Sequence, residues 1–217
     1  LTPDVISSKP NPKFVEIIVG PNTEKFKIHM DAIIHYSPFF KEAFSNQQYT
    51  EAETKVMKLE NVDEKVFGLF NNWLYTQDIL HSDSAQPELM ELAKLWTVAG
   101  DWKIPSLQNQ AMRDLSSMII NEPEPPTGDK DAILGQFLVH AYSTKEDTAL
   151  KRLAVHKMIR VLPFVVSPKE WITEFPDGMM ADIAEGLMKH HQSLPNEFKN
   201  PAYRSGDYMV KETEPKV

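Results

Sequence analysis

The side chains here that could do chemistry are seven histidines, the serines and scattered carboxylates, and their spacing decides what they can build. His190 and His191 are adjacent. On a helix they would point about 100° apart, so they do not converge on one metal ion. No H-E-x-x-H pair and no cysteine accompanies them. His29 follows a strand-like stretch and precedes a helical one, and reads as a structural histidine bonded to local backbone. No serine sits in a G-x-S-x-G or S-x-x-K setting. The eight glycines form neither G-x-G-x-x-G nor a P-loop. The pairs Glu51/Glu53 and Glu122/Glu124 fall in stretches read as linkers, where carboxylates are solvated. The residues therefore nominate no catalytic group, no metal ligand and no cofactor, and the chain reads as a non-enzyme.

Composition narrows the class further. The chain has 217 residues, a formal charge of -8 and no cysteine. Its lysines and arginines are dispersed among acidic neighbours, which argues against a partner such as nucleic acid, where bases must gather on phosphates. Without cysteine there is no disulfide framework and no thiolate chemistry. That fits a cytoplasmic or nuclear location. No apolar run reaches membrane-spanning length. The chain opens on Leu1, which reads as a piece of a longer protein.

The elements that would position any functional surface are legible from periodicity. Residues 1–13 form a polar, proline-bearing arm. Phe14–Val19 and Lys25–His29 flank Gly20-Pro21-Asn22 and predict a hairpin, with Phe26 and Ile28 on one face. Asp31–Phe44 is helical, but Pro38 splits it into two short helices meeting near Tyr36-Ser37. Lys55–Leu59 alternates as a third strand. Asp63 caps a helix whose apolar face is Val66, Phe70, Trp73 and Leu74. Pro87 opens another, with Leu89, Leu92, Ala93, Trp96 and Ala99 inward and Gly100 at its end. Pro105 starts the next, with Leu107, Ala111, Leu115 and Met118 inward.

Residues 121–131 begin with NEPEPPTG and mark a linker between 14–120 and a helical region at 132–192. There Ile133, Phe137 and His140 or Ala141 share one face, and Leu150, Leu153, Ala154, Val161 and Leu162 another. Ser167-Pro168-Lys169-Glu170 reads as a capping box. Met180, Ile183, Ala184 and Leu187 mark a last helix ending near His191. Trp73, Trp96, Trp102, Met179, Met180 and Met188 read as core, with Met179 or Met188 as the alternative partner-facing positions. Residues 193–217 are polar and aperiodic and read as a disordered tail, carrying Phe198, Tyr203 and Tyr208.

The order of F-x-I-H at Phe26–His29, Ile33-Ile34, Ser37-Pro38-Phe39-Phe40, Tyr49-Thr50-Glu51, Leu59 with Val62-Asp63, and Trp73-Leu74-Tyr75-Thr76 resembles the BTB/POZ domain. The likeness extends through Leu92-Ala93 to Leu107-Gln108-Asn109 and covers roughly Phe14–Ile120. The G-x-x-x-x-x-F opening and W-L-Y-T ending look most like BTB proteins of filamentous fungi. The resemblance implies an α+β fold, a small sheet packed on a helical cluster, here followed by an all-helical C-terminal extension. It implies a protein–protein interaction module with no chemistry of its own.

Some BTB proteins are substrate adaptors of cullin-type ubiquitin ligases, and their hydrophobic-x-Glu element lies before the third strand. Tyr49, Thr50 and Glu51 are its counterpart here, and with Phe39 they form the candidate protein-binding surface. The resemblance also allows a homodimer. However, many dimeric members carry an Asp just before the first strand, where this chain has Phe14. The family's A-D pair is Ala99-Gly100-Asp101 here, shifted by one. Two other functions stay open at this point. One is an oligomerisation domain of a transcriptional or architectural regulator; the other is an enzyme with a site in the helical C-terminal half.

Overall fold

A computed structural model describes residues 12–79, 86–120, 129–143, 148–162 and 172–193. Most of the N-terminal arm, the proline-rich stretch at 121–128, the Ser167–Glu170 capping box and the tail with Phe198, Tyr203 and Tyr208 lie outside the described residues.

The sheet has three strands in the order β2-β1-β3. β1 (Phe14–Val19) and β2 (Glu24–His29) run antiparallel with Phe14 opposite His29. β3 (Val56–Leu59) lies parallel to β1, with Glu16 opposite Val56. Alternation sends Val15, Ile17 and Val19 of the central strand into the core, and Ile28 joins them from β2. The hairpin turns at Gly20, whose φ of +67° lies in the left-handed region that glycine favours. A side chain there would also strike the Glu64 carboxylate at 2.7 Å. That carboxylate accepts from the Asn22 backbone N–H and side-chain amide at 3.3 and 3.1 Å, so the turn is tied to the helix below it.

The crossover from β2 to β3 is helical. α1 (Met30–Tyr36) and α2 (Pro38–Ser45) meet at Ser37, as the proline requires. The Ser37 hydroxyl is fully buried yet satisfied twice. It accepts from the Phe40 N–H at 3.2 Å and donates to the Trp102 carbonyl at 2.7 Å. α3 (Thr50–Thr54) then leads into β3 through Lys55, held at φ +57°.

α4 (Glu64–Thr76) starts on the Asp63 cap, whose carboxylate accepts from the Lys65 N–H at 3.0 Å. It buries Val66, Phe67, Phe70, Trp73 and Leu74. Phe40, Phe70 and Trp102 form the aromatic centre, with ring centroids 4.9 to 6.0 Å apart. α5 (Leu89–Asp101) and α6 (Pro105–Ile120) pack closely on each other.

Beyond residue 128 follow α7 (Asp129–Ala141), α8 (Ala149–Val161) and α9 (Met179–Ser193). They share the same continuous core, which runs from Val15 through Leu134, Phe137, Met158 and Met179 to Ile183. The architecture is the expected small sheet on a helical cluster with a helical C-terminal region. Among the described residues no helix is long and apolar enough to cross a membrane.

Several expectations are corrected. Gly100 does not end its helix; the chain stays helical through Asp101 and reverses at Lys103, which takes the positive φ of 57°. Gly100 faces α6 instead: a Cβ there would sit 2.6 Å from the Gln108 amide, the movable end of that side chain. Met118 is exposed, because α6 buries residues four apart, and the step from Leu115 lands on Ile119. On α7, Ile133 is exposed and Leu134, Phe137, Leu138 and Ala141 turn inward. On α9 the expected face is rotated: Met179 and Ile183 are buried, while Met180, Ala184 and Leu187 face outward. Met188, at 65% exposure, belongs to the surface rather than the core.

Candidate functional site

The candidate surface is built where α2 gives way to α3. The intervening turn is closed by Asn46: its backbone N–H donates to the Glu42 carbonyl at 3.0 Å, and its side-chain oxygen accepts from the Gln48 N–H at 3.1 Å. The Asn46 carbonyl in turn accepts from the Tyr49 N–H at 3.0 Å. Tyr49 is thereby held as the residue preceding α3, in extended conformation, with its side chain 45% exposed. Thr50 is exposed beside it, and Glu51 is half-buried one position on. Glu51 and Glu53 were expected in a linker but occupy the first turn of α3, where carboxylates favour the helix N-terminus.

Phe39 is not part of the same exposed cluster. It lies on α2, which packs against α3, and its half-buried ring meets Phe40 edge-on at 5.1 Å. From behind, Lys55 secures the segment: its Nζ donates to the Phe44 carbonyl at 2.9 Å, and its N–H donates to the Glu51 carbonyl at 3.0 Å. Sequence reasoning missed this clamp. The Asn46 side chain just past a helix was the available signal, since Asn bonds its own backbone two residues on.

The ionisable groups are arranged for structure. His29 bonds not to local backbone but to a distant hydroxyl: its N–H donates to the Tyr75 oxygen at 3.1 Å, and its Nδ1 lies 3.0 Å from the same atom. Burial raises the Tyr75 pKa, against the pull of the His29 N–H. His140 joins α7 to α5, with Nε2 3.0 Å from Thr97 Oγ1; burial lowers its pKa, and the Lys94 charge adds to that. Asp63 is held below the usual carboxylate range, chiefly by its 2.8 Å bond from Lys94. Asp114 is pushed up by burial and by Asp78, with Arg113 opposing. Among the described residues no three of His, Asp or Glu gather as metal ligands.

At the start of β1 the expected acidic position is filled by the Phe14 ring. It packs on His29 at 4.6 Å, and Lys27 Nζ stands 4.8 Å above it. This corner is engaged within the chain.

The BTB/POZ domain family model matches residues 7–116, about half of the chain. Among curated proteins, Kelch-like protein 41a of Danio rerio is 29% identical over 97 residues. That match takes in 44% of this chain and only 15% of the zebrafish protein, so the likeness concerns one segment of a much longer relative.

Proposed function

The chain belongs to the BTB/POZ domain family, and from that premise we propose that it serves as a substrate adaptor of a cullin-type ubiquitin ligase, docking the cullin through Tyr49, Thr50 and Glu51. As a BTB domain it is a protein-interaction module. The adaptor role is the sharper reading, and one observation carries it. Tyr49 is a large aromatic held out at 45% exposure by a backbone fastened at both ends. A backbone fixed in that way loses little freedom on binding, which suits a segment that presents a hot-spot anchor. The adjoining Glu51 is placed to pair with a base at the rim of the partner's pocket.

An adaptor of this kind works in the cytoplasm or nucleus. The Gly20–Phe26 and Trp73–Thr76 patterns support kinship with the BTB proteins of filamentous fungi. A homodimer is the second reading, for partners related by symmetry. Phe14 speaks against the usual charged pocket there, because its ring is already occupied by His29 and Lys27. Co-purification of a cullin with the wild-type chain but not with Tyr49→Ala tests the adaptor reading. Equal recovery with both, or none with either, overturns it.

A further inference from the structure

We propose that Thr50 is a phosphorylation site for a Ser/Thr protein kinase with a basic substrate groove, and that phosphate on Thr50 releases the partner docked at Tyr49. The release half rests on the docking role given above to Tyr49–Glu51; the modification half does not.

Three observations on one short segment carry the modification. First, Thr50 is exposed, and among the described residues its hydroxyl is not engaged in a hydrogen bond. The neighbouring Thr54 differs, since its hydroxyl donates to the Thr50 carbonyl at 2.9 Å and accepts from the Val56 N–H at 3.3 Å. Second, the charges are one-sided. Glu51 and Glu53 follow Thr50 at the first and third positions, whereas Thr54 is followed by Lys55, Val56 and Met57. Kinases choose substrates largely by such charge patterns, and carboxylates downstream of the hydroxyl select a groove lined by Lys and Arg. Third, the segment stands clear of the core. α3 is five residues long and buries none of them.

The step itself is ordinary group transfer. The Thr50 Oγ1 attacks the γ-phosphorus of ATP, the bond to the β-phosphate oxygen breaks, ADP leaves, and the hydroxyl proton passes to the kinase's catalytic carboxylate. The product adds about -1.5 to -2 charge next to Tyr49, beside the existing charges of Glu51 and Glu53. The nearest lysine in sequence, Lys55, already donates its Nζ to the Phe44 carbonyl. An apolar pocket closing on Tyr49 would then have to strip water from the phosphate, which it resists.

The test uses the whole chain. It is incubated with ATP and a purified Ser/Thr kinase of acidic-sequence preference, and phosphate is mapped by mass spectrometry. Phosphate at Thr50, abolished in Thr50→Val and slowed at least tenfold in Glu53→Gln, is the expected result. Phosphate absent, or found on Thr54 in place of Thr50, overturns the site. The phosphorylated and unmodified chains are then titrated against a purified cullin. A dissociation constant at least tenfold weaker after phosphorylation supports release, and equal or tighter binding overturns it. If the unmodified chain binds no cullin, the docking role and the release fall together, while the mapping still decides the site.

Discussion

Lys157 Nζ donates a 3.0 Å hydrogen bond to the carbonyl of Ile119, and so a buried lysine of α8 closes the C-terminal turn of α6. The last carbonyls of a helix lack partners of their own, and a cation there also meets the negative end of the helix dipole. The contact joins α8 to the end of α6, just past the family-matched residues 7–116.

Removing that contact should loosen the two parts together. Lys157→Ala loses the charged hydrogen bond and leaves the carbonyl buried, at a cost of about 2 to 3 kcal/mol. Lys157→Met keeps the aliphatic stem and escapes the desolvation of the charge, so it should cost less. Urea unfolding of both variants checks the order; an alanine variant as stable as wild type would contradict it.

Ser37 carries a similar load elsewhere in the core. Its hydroxyl joins the α2 start to the Trp102 carbonyl, deep beneath the aromatic centre. Ser37→Ala leaves a buried carbonyl and a helix N-terminus short of partners, and should lower stability by about 1 to 3 kcal/mol. Thermal unfolding against wild type measures this.

Two groups give the chain an acid sensitivity of defined sign. Burial lowers the folded pKa of His140, so the stability it contributes is full above the ordinary histidine value of about 6.5. It is lost as pH falls below that value, because the unfolded chain takes up the proton first. Asp63 acts lower down. Its folded pKa is depressed by Lys94, so its contribution is present above the ordinary carboxylate value of about 3.9 and is lost as pH falls further. Since Asp63 and Lys94 are both partly exposed, that second effect is small and screened by salt. His140→Gln should flatten the stability profile just below pH 6.5, read by denaturant midpoints at successive pH values; an unchanged slope would refute the assignment.

The rotated face of α9 makes a paired prediction. Met179→Ala empties a fully buried site and should cost about 2 to 4 kcal/mol. Met188→Ala, at a surface position, should stay within about 0.5 kcal/mol of wild type. Equal losses for both would contradict the burial of Met179 and the exposure of Met188.

That face shows where sequence legibility stopped. The sheet was readable because β-branched alternation in Phe14–Val19 leaves one register with Val15, Ile17 and Val19 inside. Ser37-Pro38 and Asp63 were readable because caps and proline act locally. In α9, by contrast, the adjacent pairs Met179-Met180 and Leu187-Met188 offer two apolar stripes of equal periodicity, and only contact with α8 decides between them. α3 was missed as a helix because five residues present no stripe at all. The His29–Tyr75 bond and the Lys157 cap depend on partners 46 and 38 residues away, beyond any local signal. In the candidate site the Tyr49-Thr50-Glu51 element was legible from its resemblance. The clamp by Asn46 and Lys55 that holds it was not, nor was the inward turn of Phe39.

The adaptor reading is tested most directly by titrating a purified cullin with the wild-type chain and with Tyr49→Ala, alongside their unfolding midpoints. We expect saturable binding by wild type and a loss of about 2 kcal/mol or more, some thirtyfold in affinity, for Tyr49→Ala. The midpoints should agree, since Tyr49 is exposed. No binding by wild type, or equal binding by a folded Tyr49→Ala, would contradict the account.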